Sequence, residues 1–385
     1  MDFAIPSELN KDIERFKAFL DTHLIPNLSQ WYRQGAADPE FYQKLGQEQW
    51  LGYKMENNQL TRHSYLREAL IHEELAKISP GMAVTTLVVS DLGIVGLYLF
   101  GTPYLQATYG TAVTSGRTLI CLGNTENHAG SDVANITATA EKTDDGWLLN
   151  GTKAYVTNGS ISDFAVITAI TDSQAPRNQR LSMFLVNLNQ SGVLRKKLNK
   201  QVWIPSDLTR IQLTNVHVPD THLMGKRGQG LQQVLAIFNC SRVVISALTL
   251  GTAEGAFDLA MKHACKRRIF NKRIVDFQAK AFEAADYCAK IEAARLLLHK
   301  ACWLADHDKN FRIEASMAKY LSVEIARAVS MWAADLYGAA SVVYTHPIHK
   351  FPLDAWGSSL GEGTQDVQKL VIFREMMRQR FAQFS

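Results

Sequence analysis

Asp145-Gly146-Trp147-Leu148-Leu149-Asn150-Gly151-Thr152-Lys153-Ala154-Tyr155-Val156-Thr157-Asn158-Gly159 is the run on which the fold turns. Its aromatic and β-branched residues recur with the period of two that marks a half-buried strand. Asn150-Gly151 reads as a hairpin turn joining Trp147-Leu148-Leu149 to Ala154-Tyr155-Val156-Thr157. Short segments of the same character lie at 118–122, 135–140, 164–171, 181–188 and 211–218, with Gly, Asn or Pro between them. Together they predict a compact antiparallel barrel or sandwich.

Outward from this β region the period becomes helical in both directions. Upstream, Leu9, Ile13, Phe16 and Leu20 form one apolar stripe on a helix that Ser7 can cap, and Asp38-Pro39 starts another. Ser79-Pro80-Gly81 closes the helix carrying His72, Glu73 and Glu74, and Gly101-Thr102-Pro103 ends one helix and caps the next. This part reads as all helical. Downstream of the turn Gly225-Lys226-Arg227-Gly228-Gln229-Gly230, amphipathic segments over 231–266, 279–306, 312–337 and 364–382 predict a four-helix bundle. The expected organisation is α+β: an N-terminal helical domain over 1–116, a central β domain over 117–225 and a C-terminal helical bundle over 226–385.

A chain of 385 residues, 46% hydrophobic, can bury a large core. Its formal charge of +4 contains no Lys/Arg block dense enough for a nucleic-acid surface, though it permits an acidic partner. Five cysteines, none at C-x-x-C spacing, argue against a disulfide framework and a structural zinc site. The histidines form no His-x₃-His pair with a nearby carboxylate, so no metal is expected. The N-terminus lacks a basic stretch followed by an apolar one, and the apolar run Met82 to Phe100 contains Ser90, Asp91, Gly93 and Gly96. A buried helix is expected there rather than a membrane span, and a cytoplasmic enzyme is the default.

Near the C-terminus, Leu360-Gly361-Glu362-Gly363-Thr364-Gln365-Asp366-Val367 places a lone carboxylate between two glycines, ahead of a helix over Val367, Leu370, Val371 and Phe373. Taken alone, this is more simply a surface turn with Thr364 as N-cap. The other reading is a general base beside a flat cofactor, because glycine lets a planar ligand approach the backbone.

Three motifs in this order, Leu122-Gly123-Asn124-Thr125-Glu126-Asn127-His128-Ala129-Gly130-Ser131-Asp132, the run Asp145–Gly159 and Glu362-Gly363-Thr364, resemble the acyl-CoA dehydrogenase family over essentially the whole chain. The resemblance implies a helix–β–helix subunit that binds FAD and oxidises acyl thioesters. It implies that Thr125 contacts the flavin, Ser131 the flavin or the pantetheine region, and Thr157 the isoalloxazine edge. Tyr155 stands where the family usually has a ring-stacking Trp, and Gly338 and Thr364 join the cofactor set. Arg267-Arg268-Ile269-Phe270 with Asp276-Phe277-Gln278 is similar to a family segment that reaches the FAD of a neighbouring subunit, which assigns Arg267, Phe270 and Gln278 to that role; Asn271 replaces the usual glycine there. Asp335, Ala339 and Leu353 depart from the family pattern at the subunit boundary.

By the same resemblance Glu362 is the catalytic base, removing an α-proton while the β-hydrogen leaves as hydride to the flavin. The minority base position is occupied by Ser241, which is no carboxylate. Ser131, Ser241, Arg242, Gly361 and Gly363 are the implied substrate contacts. Gly361 replaces a bulky aromatic and leaves room for a branched or functionalised acyl group. Asn239 replaces an acid that contacts CoA, which raises the prospect of a thioester on a carrier-protein phosphopantetheine rather than on CoA. The implied electron acceptor is an electron-transfer flavoprotein or O₂, and the implied assembly a homodimer or homotetramer. The competing expectations are a flavin oxidase or monooxygenase on the same fold, and a non-catalytic scaffold.

Overall fold

The computed structural model of the chain describes residues 4–384. Helices α1 (Ser7–His23), α2 (Ile25–Gln34), α3 (Pro39–Gln47), α4 (Tyr65–Ile78), α5 (Pro80–Leu87), α6 (Gly93–Phe100) and α7 (Pro103–Thr114) form the N-terminal part. It is not all helical. Strands β1 (Tyr53–Glu56) and β2 (Gln59–Arg62) pair antiparallel around Asn57-Asn58, both with positive φ. Asparagine tolerates that region and so makes the tight turn, while strands of four residues are too short to show a clear period. Ser7 does not cap: α1 starts at Ser7 itself, behind Pro6, with no side-chain cap bond. Ser79, by contrast, caps α5 by accepting from Met82 N–H. A π-helical turn, Val88–Leu92, joins α5 to α6 and carries the buried Asp91.

The central region is a mixed sheet, not a closed antiparallel barrel. It contains β3 (Ile120–Gly123), β4 (Thr139–Lys142), β5 (Gly146–Thr157), β6 (Phe164–Ile170), β7 (Leu181–Asn187), β8 (Val193–Lys197), β9 (Leu208–Pro219) and β10 (Leu223–Met224). The order is β10-β7-β6-β4-β5-β9-β8, with β3 also on β6. Both β3 and β4 run parallel to β6, and β4 meets β6 through the single pair Thr139–Ile170, so the sheet splays there and ends on separate edges.

Nor is there a hairpin at Asn150-Gly151. β5 is one strand, paired along its length with β9 and irregular at Leu149/Gly151 and Lys153/Val156. Gly151 is needed for close approach: a Cβ on it would stand 2.6 Å from the Ala138 Cβ. The Asn150 side chain meanwhile bonds to Asn215 on β9, accepting from its backbone N–H at 2.8 Å.

The C-terminal part comprises α8 (Gly230–Lys266), a minimal hairpin of β11 (Arg268–Ile269) and β12 (Lys272–Arg273), α9 (Gln278–Asp306), α10 (Arg312–Tyr337), α11 (Lys350–Gly357) and α12 (Gln365–Arg380). α8 is the central beam. Its first half closes the core shared with the sheet, and its second half packs on α9 and α10 through alanines such as Ala253, Ala256, Ala260, Ala294, Ala315 and Ala318. Small side chains bring helix axes together, and dispersion between them holds the bundle. Gly251 and Gly255 do the same against α4, where a Cβ would fall about as close as 2.3 Å to the Glu73 carbonyl and 2.4 Å to that of Lys77. Two helical stretches, Pro80–Phe100 and Gly230–Lys266, are long and apolar enough to cross a membrane, but their apolar windows are 83% and 72% buried inside the protein.

Candidate active site

A cleft of about 930 Å³ lies where the sheet meets α8, α11 and the turn before α12. Thr125, Ser131, Tyr155, Thr157, Arg242, Gly361, Glu362, Gly363 and Thr364 all line it. Residues more than 230 positions apart in sequence thus face one space.

The sheet side is built around a buried ion pair. Lys153 on β5 is fully buried, donates to Glu126 Oε1 at 2.8 Å and to the Asn124 carbonyl at 3.2 Å. Glu126 also accepts from Thr137 N–H, the Thr137 hydroxyl and Ala138 N–H. Burial pulls the Lys153 ammonium down to about 8 despite Glu126, while Lys153 and the backbone donors hold the Glu126 carboxyl below its ordinary value against its own desolvation. The pair fastens the loop carrying Thr125 to the strand carrying Tyr155 and Thr157, and Ala154 N–H completes the tie by donating to the Thr125 carbonyl at 2.8 Å. Tyr155 sits in the second irregularity of β5 at φ +56 and is 57% exposed. A bulge of this kind re-aims a side chain, and here it turns the ring into the cleft.

The helical side carries the carboxylate. Glu362 has φ +52, a left-handed backbone rare for a residue with a Cβ. Thr364 caps α12 by accepting from Val367 N–H at 3.4 Å. Ser241 on α8 donates to Glu362 Oε2 at 3.5 Å, and Arg242, 7% exposed, lines the same wall. Burial pushes the Glu362 carboxyl well above the ordinary carboxylate range, against the pull of Lys319 and Arg242; Asp91 adds to the rise. Burial also brings Arg242 down to about 10, with Glu362 opposing. Its guanidinium therefore stays charged at neutral pH. The Nε of Arg242 is buried without a partner, which suits it to a ligand oxygen.

This chemistry suits a flat heteroaromatic ligand. Hydroxyls of Thr125, Thr157 and Thr364 supply edge donors, Tyr155 supplies a face, and a Cβ built on Gly130 or Gly361 would meet no atom within 4 Å.

Three family models match, described as the acyl-CoA dehydrogenase N-terminal domain over residues 8–117, middle domain over 121–216 and C-terminal domain over 228–377. The chain belongs to the acyl-CoA dehydrogenase family. Among its relatives, the probable acyl-CoA dehydrogenase YngJ of Bacillus subtilis is 29% identical over 98% of this chain and 100% of that one. The caffeyl-CoA reductase-Etf complex subunit CarC of Acetobacterium woodii is 33% identical over 78% of this chain and 79% of its own length. Of solved structures, butyryl-CoA dehydrogenase from Megasphaera elsdenii superposes with a TM-score of 0.93 at 27% identity, covering 98% of this chain and 100% of that one. PigA with FAD and proline gives 0.93 at 25% identity, covering 98% and 99%.

In this acyl-CoA dehydrogenase family member, four of the sequence-derived cofactor residues stand away from the cleft. Arg267 ends α8, Phe270 is 87% exposed at φ +48 in the β11–β12 turn, Gln278 opens α9, and Gly338 is exposed at the end of α10. None of the four lines the cleft. Leu353, one of the departures from the family pattern, does line it, together with Trp356 and the loop around Trp203. That loop was not singled out from sequence. Asp354 anchors it by accepting from Trp203 N–H at 2.6 Å, and burial pushes the Asp354 carboxyl up to about 7.

Two further residues beneath the site went unread. Lys319 on α10, fully buried, donates to the Gly361 carbonyl at 2.8 Å and to that of Gly363. Gln368 on α12 donates to the carbonyls of Glu362 and Gly363 at 3.0 Å each. Their only sequence signal is a polar residue on a buried helix face, Lys319 one turn from Ala315 and Ser316.

Proposed function

We propose that the protein is an FAD-dependent dehydrogenase that removes the α-proton and β-hydride of an acyl thioester, with Glu362 as the base. The carrying observation is the lone carboxylate at the cleft wall between two glycines, sharing the cleft with the threonine hydroxyls and the Tyr155 ring. Glycines 361 and 363 leave the carboxylate accessible from the cleft, and burial raises its proton affinity toward that needed to take a proton from carbon. Thr125, Thr157 and Thr364 would hold the flavin edges and Tyr155 would cover a face. Bound FAD supplies the hydride acceptor. The Glu362 N–H holds the thioester oxygen as charge develops on it, and buried Arg242 adds positive potential there.

The open space beside Gly361 favours a branched or functionalised acyl group. Asn239, which accepts from Arg242 Nη1 at 3.4 Å, stands in place of an acid, so a carrier-protein thioester is kept beside one on CoA as the substrate. An electron-transfer flavoprotein is the acceptor we favour, in line with the relative named as part of an Etf complex. Exposed Phe282 and Trp303 on α9, Met331 on α10 and Phe373 on α12 support a homodimer or homotetramer.

The test is anaerobic. Purified yellow protein is mixed with acyl-CoAs and with acyl-carrier thioesters while the flavin band is followed. Bleaching by at least one thioester is expected, with slow peroxide formation in air. Protein that is colourless after flavin reconstitution, or reoxidised by O₂ as fast as by an artificial acceptor, would end the dehydrogenase reading.

A further inference from the structure

We propose that Lys319 is a positioning residue for the base: from beneath the site, its buried ammonium clamps the carbonyls on both sides of Glu362 and keeps the carboxylate ionised and aimed into the cleft. The inference rests on Glu362 being the working carboxylate. A non-glycine residue at φ +52 is held only where its surroundings over-determine it. Here the carbonyls of Gly361, Glu362 and Gly363 are all taken by two buried side chains, Lys319 from α10 and Gln368 from α12. Both donors are 0% exposed, so water does not substitute for either.

The two clamps differ in charge, and that separates position from electrostatics. A buried ammonium costs several kcal/mol of desolvation unless a partner offsets it. Neutral carbonyls offset part. The remaining partner is Glu362, whose field raises the Lys319 ammonium while burial and Arg242 lower it. The charged groups facing the Glu362 carboxyl are Lys319 from α10, Arg242 from α8 and Asp91 from the π-turn, with the Ser241 hydroxyl between; Arg312 acts at one remove, on Arg242. Arg242 belongs to the cleft wall and Asp91 opposes ionisation, which leaves Lys319 as the favourable charge outside the substrate space. Gln368 shares the geometry without the charge.

The two roles are read apart in flavin-loaded protein carrying ¹³C-labelled glutamate, with Glu362→Gln identifying the Glu362 carboxyl signal. Removing a cation favours the protonated acid, so Lys319→Met should move the Glu362 titration midpoint up by about one pH unit or more. The acid limb of flavin reduction should move with it, lowering the rate at pH 7 about fivefold or more. Lys319→Gln, which keeps a donor and loses the charge, should show the same displacement and a smaller loss of limiting rate. Gln368→Met should lower the limiting rate and leave the midpoint in place. An unchanged midpoint in either Lys319 variant overturns the proposal, as does a Gln368→Met midpoint that moves equally far. Should Lys319→Met not accumulate as folded holoprotein, the Lys319→Gln titration decides alone. The midpoint is read without turnover, so parental protein inert toward thioesters would count against the dehydrogenase reading and not against the clamp.

Discussion

A carboxylate that must take a proton from carbon works only while ionised, and Glu362 pays for its seclusion with a raised proton affinity. As the proposed base, Glu362 would be inactive when protonated, so activity should fall as pH drops through a midpoint above the ordinary carboxylate range. Stopped-flow flavin reduction from pH 5 to 9 would show the limb; a flat profile down to pH 5 would remove Glu362 as the base. Glu362→Gln keeps the shape and loses the basicity. It should retain bound flavin and lose about a hundredfold or more of the reduction rate, the scale of a general base. This residue was legible only in company: alone, Gly-Glu-Gly ahead of a threonine N-cap reads as a surface turn, and it is the order of the three motifs, 122–132, 145–159 and 362–364, that singles it out. Lys319 was not, because its partners are backbone carbonyls 42 and 44 residues away.

At the scale of elements, β5 and the loop before β4 act as one unit because Lys153 and Glu126 share a dry pocket. Lys153→Met leaves Glu126 buried without its ammonium partner, with only the half-exposed His128 imidazole at 3.7 Å. Breaking such a pair costs about 3–5 kcal/mol. The melting temperature should fall by several degrees, and flavin should be lost on gel filtration, whereas a melt equal to the parent's would show that the pair does not organise the cleft. On α4, Glu68 is a second buried acid, fully enclosed, with neither carboxylate oxygen hydrogen-bonded. Burial pushes it up to about 7. Its unfolded value is about 4.3, so between the two the folded state binds more protons and stability is lost as pH rises through that window. Glu68→Gln should therefore raise the melting temperature at pH 8 and change it little at pH 4.5; a gain of equal size at both would point to packing instead. The strand period at 145–159 is readable in the sequence, but its Asn-Gly reads as a turn where the structure has a bulge. A hairpin and a bulge share the same permissive residues, and only the partner strand, β9, distinguishes them.

For the whole molecule, the residues left outside the cleft define the next test. Arg267, Phe270 and Gln278 cluster at the α8–α9 junction, where a neighbouring subunit would bring a flavin to them. Arg267→Ala should lower the flavin-to-protein ratio of purified oligomer with its circular dichroism unchanged. Full flavin occupancy, or a monomer by light scattering in the parent, would remove the shared-site arrangement. The order helix, sheet, helix was determined by sequence alone, because hydrophobic period is a local property and survives without any partner; so were the extents of α8, α9 and α10, to within a residue. Tertiary structure alone decided that the sheet is mixed and open, that β5 is continuous, that a β-hairpin interrupts the first helices, and that Lys319, Gln368 and the Lys153–Glu126 pair underpin the site. Strand direction, closure and buried polar pairing depend on which distant segments meet, and a one-dimensional pattern carries no record of that meeting.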